Sequence, residues 1–166
     1  MKTPLHLLVV EDSPVAAKAE IHYIATHTNY DLQYEIVETH KDMREALTKQ
    51  EWDAIICDHC LPDDFNSTAA FILYKDLNLD IPFIIVSGMI KDDMACKAME
   101  AGVHDYIMKD NMARLVPALE RELKRAKERK MQKEKEAKKQ AALEELLESV
   151  ANSAKKHIER YEEDVL

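Results

Sequence analysis

The stretch Ala54-Ile55-Ile56-Cys57-Asp58 decides the fold of this chain. Four apolar residues end in a carboxylate, and the turn-rich sequence His59-Cys60-Leu61-Pro62-Asp63-Asp64 follows them. A continuous apolar run of strand length that stops at turn residues is typical of a strand buried on both faces of a parallel sheet. Asp58 would then lie at the carboxyl end of that strand, where ligands bind in open α/β sheets. Taken alone, Asp58 is explained equally well as the first residue of a turn.

Four further segments have strand-like patterns, and stretches of helix length separate them: residues 5–10, 34–39, 83–86 and 104–108. The second of these alternates polar and apolar residues, which is typical of an edge strand with one wetter face. Strands separated by helices favour right-handed crossovers and helices on both faces of one sheet. The sequence therefore predicts an α/β fold with a doubly wound five-stranded parallel sheet.

Helix boundaries are marked by capping residues. Ser13 suits the N-cap of the first helix and Pro14 its first turn, and we expect an inward face formed by Val15, Ala19, Tyr23 and Ala25. Asn66-Ser67 starts the third helix, and Gly102 suits the C-terminal cap of the fourth.

Charge and composition limit the function classes. Residues 1–109 carry 19 acidic and 9 basic side chains, which argues against binding of a nucleic-acid backbone by this part. The three cysteines suggest no disulfide framework, so we expect a reducing, cytoplasmic compartment. No apolar run approaches the ~20 residues that cross a bilayer, and no membrane association is expected. The two glycines exclude Gly-rich phosphate loops.

The character of the sequence changes from Asp110 onward, and we predict a first domain over 1–118 and an extended helix over 119–166 that continues the fifth helix. No Gly or Pro occurs from Ala118 to Leu166, which favours one long helix beginning near Asp110 or Asn111. Residues 124–140, the basic segment, hold nine basic and three acidic side chains. Beyond it lies an apolar seam with spacings of four and three: Leu147, Ala151, Ala154, Ile158, Tyr161 and Val165.

This seam predicts a short coiled coil with a second copy of the chain. A single solvated helix, or one that folds back on the first domain, remains an alternative.

Several strand ends bring chemically matched residues to one edge of the predicted sheet. Glu11 and Asp12 follow the first strand, Asp58 ends the third, and Ser87 and Lys109 follow the fourth and fifth. Clustered carboxylates repel one another unless a cation is present, and oxygen ligands suit Mg²⁺. A carboxylate nucleophile, a hard cation and a lysine are the groups that phosphoryl transfer to an aspartate requires.

With these residues in place, residues 5–118 resemble the receiver domain of two-component response regulators. The matching motifs are Val9-Val10-Glu11-Asp12-Ser13, the Asp58 strand with Leu61-Pro62, Val86-Ser87-Gly88, Ala101-Gly102 and Asp105-Tyr106-Ile107-Met108-Lys109. The resemblance implies a flavodoxin-like fold in which Asp58 is the phosphoacceptor and Lys109 contacts the phosphate. It implies an Mg²⁺ site formed by Glu11, Asp12, Asp58 and the backbone carbonyl of Cys60, and a switch through Ser87 and Tyr106.

The resemblance also implies a phosphodonor, either a histidine kinase or a phosphotransfer protein. It implies a signalling domain that promotes only its own phosphotransfer and dephosphorylation, with the fourth helix, fifth strand and fifth helix as its output face. The sequence after Lys109 resembles receivers that are linked to sensor or kinase modules. Two departures concern loops: Asp110 stands where the family usually has a proline, often cis, and the usual glycine after the phosphoacceptor is missing.

The residues also allow other interpretations of the function. Cys57-Asp58-His59-Cys60 has a spacing that binds soft metals or forms a redox pair, although no second pair is present. A phosphorylation-independent oligomerisation or interaction module would use the helix and leave the carboxylates without a role. A hydrolase of the phosphoaspartate type would need a further acid or base that the sequence does not reveal.

Overall fold

The computed structural model describes residues 1–62, 65–88, 92–163 and 165. Five parallel strands form one sheet, and helices follow the first four strands. In chain order the elements are β1 (Thr3–Val10), α1 (Pro14–His27), β2 (Tyr30–Val37), α2 (His40–Lys49), β3 (Ala54–Asp58), α3 (Ser67–Asp76), β4 (Phe83–Ser87), α4 (Asp92–Ala101), β5 (Asp105–Met108) and α5 (Leu115–Glu163). The strand order is β2-β1-β3-β4-β5, so the predicted doubly wound sheet is confirmed.

Strand β3 lies at the centre of the sheet, between β1 and β4, and all five of its residues are buried. One apolar cluster lies on the face covered by α2 and α3, with Met43 and Leu73 among its members. The other lies on the face covered by α1 and the start of α5, with Ile24 and Leu119 among its members. Cover on both faces explains why β3 and β4 are continuous apolar runs rather than alternating ones.

The predicted inward face of α1 is wrong, although its boundaries and its cap are confirmed. Val15 and Ala19 are exposed, and the buried residues are instead Ala17, Glu20, Ile21 and Ile24. These positions recur at intervals of three, one and three, which is one face of a helix. The prediction placed the inward face on the wrong side of α1 because it did not allow for a buried glutamate.

Two element boundaries also differ from the prediction. Strand β2 is an edge strand, as predicted, but it begins at Tyr30 because it pairs with β1 along its whole length. A 3-10 turn covers Lys109–Arg114, so α5 begins at Leu115 rather than near Asp110. No cis peptide bond occurs in the described residues, and the Lys109–Asp110 peptide is therefore trans.

Other local predictions are confirmed. Asn66 caps α3 by accepting a hydrogen bond from the amide of Ala69, and Gly102 has a positive φ of 104° where the chain leaves α4. Three residues named in the predictions, Asp63, Asp64 and Leu166, lie outside the described residues.

The chain divides into two compact units, Met1–Ala126 and Lys127–Leu166. The first contains the sheet, the helices packed on it and the start of α5. The second consists of the remainder of α5, where the described side chains are exposed apart from half-buried Arg129. Among the described residues, no helix combines the length and the apolar character that a membrane span requires.

Candidate acidic site

Three carboxylates meet at the carboxyl ends of β1 and β3. One oxygen from each of Glu11, Asp12 and Asp58 lies within 4.8 Å of the others. Glu11 and Asp58 are buried, whereas Asp12 is exposed. Because β1 and β3 are paired with Val10 opposite Cys57, the residues that follow these positions are neighbours. The sheet register therefore places Glu11 beside Asp58.

Lys109 brings a positive charge to the same place from the end of β5. Its Nζ donates a hydrogen bond to Glu11 Oε2 at 2.8 Å and lies 3.3 Å from Asp58 Oδ1. The Lys109 stem passes the end of β4, since a Cβ on Gly88 would lie 3.8 Å from its Cδ. We call Glu11, Asp12, Asp58 and Lys109 the acidic site.

The pKa values of the acidic site reflect burial and charge together. Burial raises the pKa of Glu11, although the hydrogen bonds from Lys109 and from the Ser13 amide oppose this shift. Burial alone would lower the pKa of Lys109, but the hydrogen bond to Glu11 and the charge of Asp58 raise it. The pKa values of Glu11 and Lys109 can both be raised because one ammonium group interacts with two carboxylates. Lys109 therefore stays protonated, and the site keeps an excess of negative charge.

The carboxylates satisfy the requirements of a hard divalent cation. Three oxygen donors of like charge lie around a small volume, and exposed Asp12 leaves it open to solvent. Mg²⁺ prefers such oxygen ligands and retains waters beside one or two carboxylates. The donor set therefore fits Mg²⁺ and does not fit a thiolate-seeking metal.

The remaining predicted residues surround this site. Ser87 is fully buried at the end of β4, and Tyr106 in β5 is buried with its side chain in the cluster on the α2 and α3 face. Cys60 lies two residues after Asp58 and its side chain is exposed. The Tyr106 ring lies 6.2 Å from the ring of His59, the residue that follows Asp58.

His59 closes the loop after β3. Its ring Nδ1 lies 2.7 Å from the Ser67 hydroxyl, and its carbonyl accepts a hydrogen bond from the Ser67 amide. This pair joins the end of β3 to the first residue of α3. Sequence reasoning missed it because residues eight positions apart across a turn give no periodic signal.

A network of ion pairs joins β5 to α5, and sequence reasoning missed this as well. Buried Asp105 accepts hydrogen bonds from Arg114 at 3.2 Å and from Arg121 at 2.6 Å. Arg121 also donates to buried Glu122, which accepts a second bond from Arg125. Asp105 immediately precedes Tyr106, so this network ties the strand that carries the predicted switch residue to the start of α5.

Glu20 is a further buried carboxyl group of the first unit. It is 4% exposed, and its Oε1 has no hydrogen-bond partner among the residues that the structure describes. Burial raises its pKa to about 8, and the charges of Glu11 and Asp58 act in the same direction. The sequence signal for its burial is its position three residues after Ala17, on the same face of α1.

The structure separates the two cysteines of the Cys-x-x-Cys motif. Cys57 is fully buried in the core, where burial raises the pKa of its thiol, whereas Cys60 is exposed. Of the described residues, only Glu11, Asp12 and Asp58 form a group that could hold a metal ion. The soft-metal and redox reading therefore has no structural support.

Comparison with protein families decides the class of this domain. Residues 7–120 match the response regulator receiver domain family. The chain belongs to that family. Receiver domains of two-component systems are signalling domains that take phosphate from histidine kinases, and magnesium binding is typical of them.

Among curated proteins, the regulatory protein LuxO of Vibrio cholerae is 31% identical over 103 residues. That match covers 61% of this chain and 21% of LuxO, so the chain spans about a fifth of the length of this relative.

Two solved receiver domains are similar to this chain at 26% sequence identity. One comes from a protein described as a LuxO repressor of Vibrio parahaemolyticus, with a TM-score of 0.68 and coverage of 77% of this chain and 96% of that one. The other comes from a signal transduction histidine kinase of Syntrophus aciditrophicus, with a TM-score of 0.60 and coverage of 72% and 90%. Receivers of this fold are thus found in regulators and in kinases alike.

Proposed function

We propose that Asp58 is the phosphoacceptor of this receiver domain. The observation that carries the proposal is the position of Lys109, whose ammonium lies within 3.3 Å of Asp58 and hydrogen-bonds Glu11. A free Asp58 oxygen attacks phosphorus, and the bond to the leaving nitrogen of a phosphohistidine breaks as the new P–O bond forms. Lys109 stabilises the charge on the equatorial oxygens.

Glu11, Asp12 and Asp58 would hold Mg²⁺, with the Cys60 backbone carbonyl as a further oxygen ligand. Bound there, the ion would neutralise negative charge during phosphoryl transfer. The chain's own contribution is geometric. The Ser13 amide holds one oxygen of Glu11 at 3.0 Å, and Lys109 holds the other.

Ser87 and Tyr106 are proposed as the switch that reports phosphorylation. Ser87 ends β4 beside Asp58, because β3 and β4 are paired with Asp58 opposite Val86. Tyr106 is paired with Ile85 in the neighbouring strand. When the Ser87 hydroxyl moves toward a phosphoryl group at Asp58, the space available to the Tyr106 ring changes. This shifts the equilibrium between two conformations of the face formed by α4, β5 and α5.

Titration with beryllofluoride and Mg²⁺ tests these assignments by nuclear magnetic resonance. Beryllofluoride binds a carboxylate as an acyl-phosphate mimic, so we expect the amide signals of Ser87, Tyr106 and Lys109 to shift in the wild type. Asp58→Asn should abolish these shifts, whereas Asp53→Asn, at an exposed aspartate before β3, should retain them. Equal shifts in wild type and Asp58→Asn would contradict the assignment.

The phosphorylation-independent module is the alternative class of function. It predicts that Asp58→Asn leaves every partner interaction unchanged. A difference in partner affinity between wild type with beryllofluoride and Asp58→Asn would exclude it.

We further propose that the second unit pairs with a second copy of the chain. Leu147, Ile158, Tyr161 and Val165 lie on the apolar seam and are each at least 59% exposed. Isolated helices gain little stability in water, and most helical stability in proteins comes from packing of an apolar face. A partner helix would bury this seam by knobs-into-holes packing.

The charges beside the seam favour a parallel pair. In a parallel coiled coil, position 157 of one helix faces position 162 of the other, which places His157 near Glu162. An antiparallel pair centred on the seam would place Glu148 opposite Glu162 and Lys155 opposite Lys155. Parallel pairing therefore avoids two like-charge contacts.

Sedimentation of the full chain tests this pairing with a matched variant. Leu147→Lys removes a seam residue, while Leu146→Lys alters its equally exposed neighbour off the seam. We expect Leu147→Lys to raise the dimer dissociation constant about tenfold or more and Leu146→Lys to have a much smaller effect. In a chain with Cys60→Ser and Cys96→Ser, Ala151→Cys should crosslink only in a parallel pair. A monomeric wild type at high concentration would refute the pairing.

A histidine kinase or phosphotransfer protein is proposed as the phosphodonor, and the cytoplasm as the compartment. The acidic charge of residues 1–109 favours a protein partner over nucleic acid.

A further inference from the structure

A cavity lies between α3 and α4 and is separate from the acidic site. Its volume is about 250 Å³. Its walls are mainly apolar and include Phe71, Ile85, Ala98 and Val103. None of the four residues of the acidic site is among the described residues that line it. The phosphoacceptor function leaves this cavity without a role.

The cavity has the size and surface of a small-molecule site. A dry apolar cavity of roughly 150 Å³ is large enough to bind benzene. The space here is larger and accommodates one aromatic ring or two fused rings. Its walls come from the opposing faces of two helices and from β4, so a flat ring would contact protein on both sides.

The polar groups at the cavity indicate which substituent such a ring carries. His59 Nδ1 and the Ser67 hydroxyl bond to each other at 2.7 Å, so these two atoms are already engaged. Lys97 on α4 also lines the cavity, and its side chain is exposed. Within the described part of the chain, its ammonium forms no ion pair or hydrogen bond. Lys97 is therefore the group that offers a ligand a complementary charge.

We propose that this cavity binds a small aromatic carboxylate. The ring occupies the space between Phe71, Ile85 and Ala98, and the carboxylate lies toward Lys97. Such a ligand contacts both helices and also His59, whose ring lies 6.2 Å from that of Tyr106. The site therefore gives a small molecule access to the residues that flank the phosphoacceptor without occupying the acidic site. Binding does not require phosphorylation.

Titration of the methyl-labelled full chain with indole-3-carboxylate tests the proposal. We expect saturable shifts at the methyl groups of Ile85, Ala98 and Val103, with a dissociation constant of roughly 0.1–1 mM for a ligand of this size. Neutral indole should bind the same site about threefold more weakly, because an exposed ion pair contributes little.

Two variants fill the cavity from different sides. Thr68→Phe places a ring at its mouth from an exposed position, and Ala98→Leu fills it from α4. Each should weaken binding at least tenfold. Thr68→Phe keeps the test valid if Ala98→Leu lowers stability.

The charge is tested by Lys97→Met against Lys41→Met, a matched change at an exposed lysine of α2. Lys97→Met should abolish the preference for the carboxylate over indole, and Lys41→Met should preserve it. The proposal is overturned if the wild type shows no shifts at the lining methyl groups up to several millimolar probe. It is also overturned if Thr68→Phe binds as well as the wild type.

Discussion

The two units of this chain use their apolar residues in opposite ways. In Met1–Ala126 the strands β3 and β4 are buried on both faces, and Ile56 and Phe83 are fully buried. In Lys127–Leu166 every large apolar side chain that the structure describes is at least 49% exposed. The first unit therefore contains the contacts that stabilise it. The second leaves its large apolar side chains exposed, without the packing from which most helical stability in proteins comes.

The strongest test of this contrast compares one residue from each unit. Phe83 packs its ring edge against Phe71 and Tyr74 at centroid distances of 5.1 and 5.4 Å. Phe83→Ala should lower the free energy of unfolding of the first unit by about 3–5 kcal/mol. Leu147→Ala should change it by less than about 0.5 kcal/mol. Chemical denaturation followed by Trp52 fluorescence measures the free energy of unfolding of both variants. An equal decrease in the two variants would contradict the contrast between the units.

Glu20 should make the first unit less stable as the pH rises. Its folded pKa of about 8 lies above the unfolded value of 4.5, so the folded state holds the proton more tightly. The free energy of unfolding should therefore fall between about pH 4.5 and 8, by about 2–4 kcal/mol from this group.

Glu20→Gln should remove most of this slope. A smaller slope of the same sign should persist, because burial also raises the pKa of Glu11. Denaturation at pH 5 and pH 8, in the absence of divalent cations, provides the comparison. A wild type that gains stability over this interval would contradict the assignment.

The Asp105–Arg121 pair should couple β5 to α5 inside the first unit. Asp105→Asn should cost about 2 kcal/mol, since it weakens two charge-assisted bonds to a buried carboxylate. A double-mutant cycle with Arg121→Met should give a coupling energy of about 1 kcal/mol. Arg125→Met, which removes only the second bond to Glu122, serves as the control. Additive effects of Asp105→Asn and Arg121→Met would exclude the coupling.

The smallest expected effect concerns a helix cap. The Ser13 hydroxyl caps α1 by accepting a hydrogen bond from the Ala16 amide at 3.3 Å. Ser13→Ala should lower the free energy of unfolding by about 1 kcal/mol. Ser13→Asp should restore it, because aspartate caps equally well. Thermal unfolding of the three proteins would reveal whether the cap matters.

The parts of the fold that sequence reasoning predicted are those with a strong local signal. The apolar runs of β3 and β4 are short and stop at turn residues, which predicts buried strands, and their ends carry Asp58 and Ser87. Proximity of Glu11, Asp12, Asp58 and Lys109 followed from topology alone, because parallel strands end at the same edge. Their roles in phosphorylation remain proposals.

The parts that failed depend on contacts between distant residues. The phase of α1 was wrong because buried Glu20 interrupts its apolar pattern. Asp105 and Arg121 lie sixteen positions apart, and nothing in their spacing marks a buried pair. Pairing of β2 from Tyr30 was decided by its neighbour β1 rather than by its own residues. Tertiary contacts outweighed local propensity in each case.

The most direct test of the central claim is the intact mass of the full chain after incubation with a small-molecule phosphodonor and Mg²⁺. We predict that the wild type gains one phosphoryl group, that chelation of Mg²⁺ prevents the gain, and that Asp58→Asn gains none. A folded wild type that gains no phosphoryl group, or an Asp58→Asn variant that gains as much as the wild type, would contradict the assignment of Asp58 as phosphoacceptor.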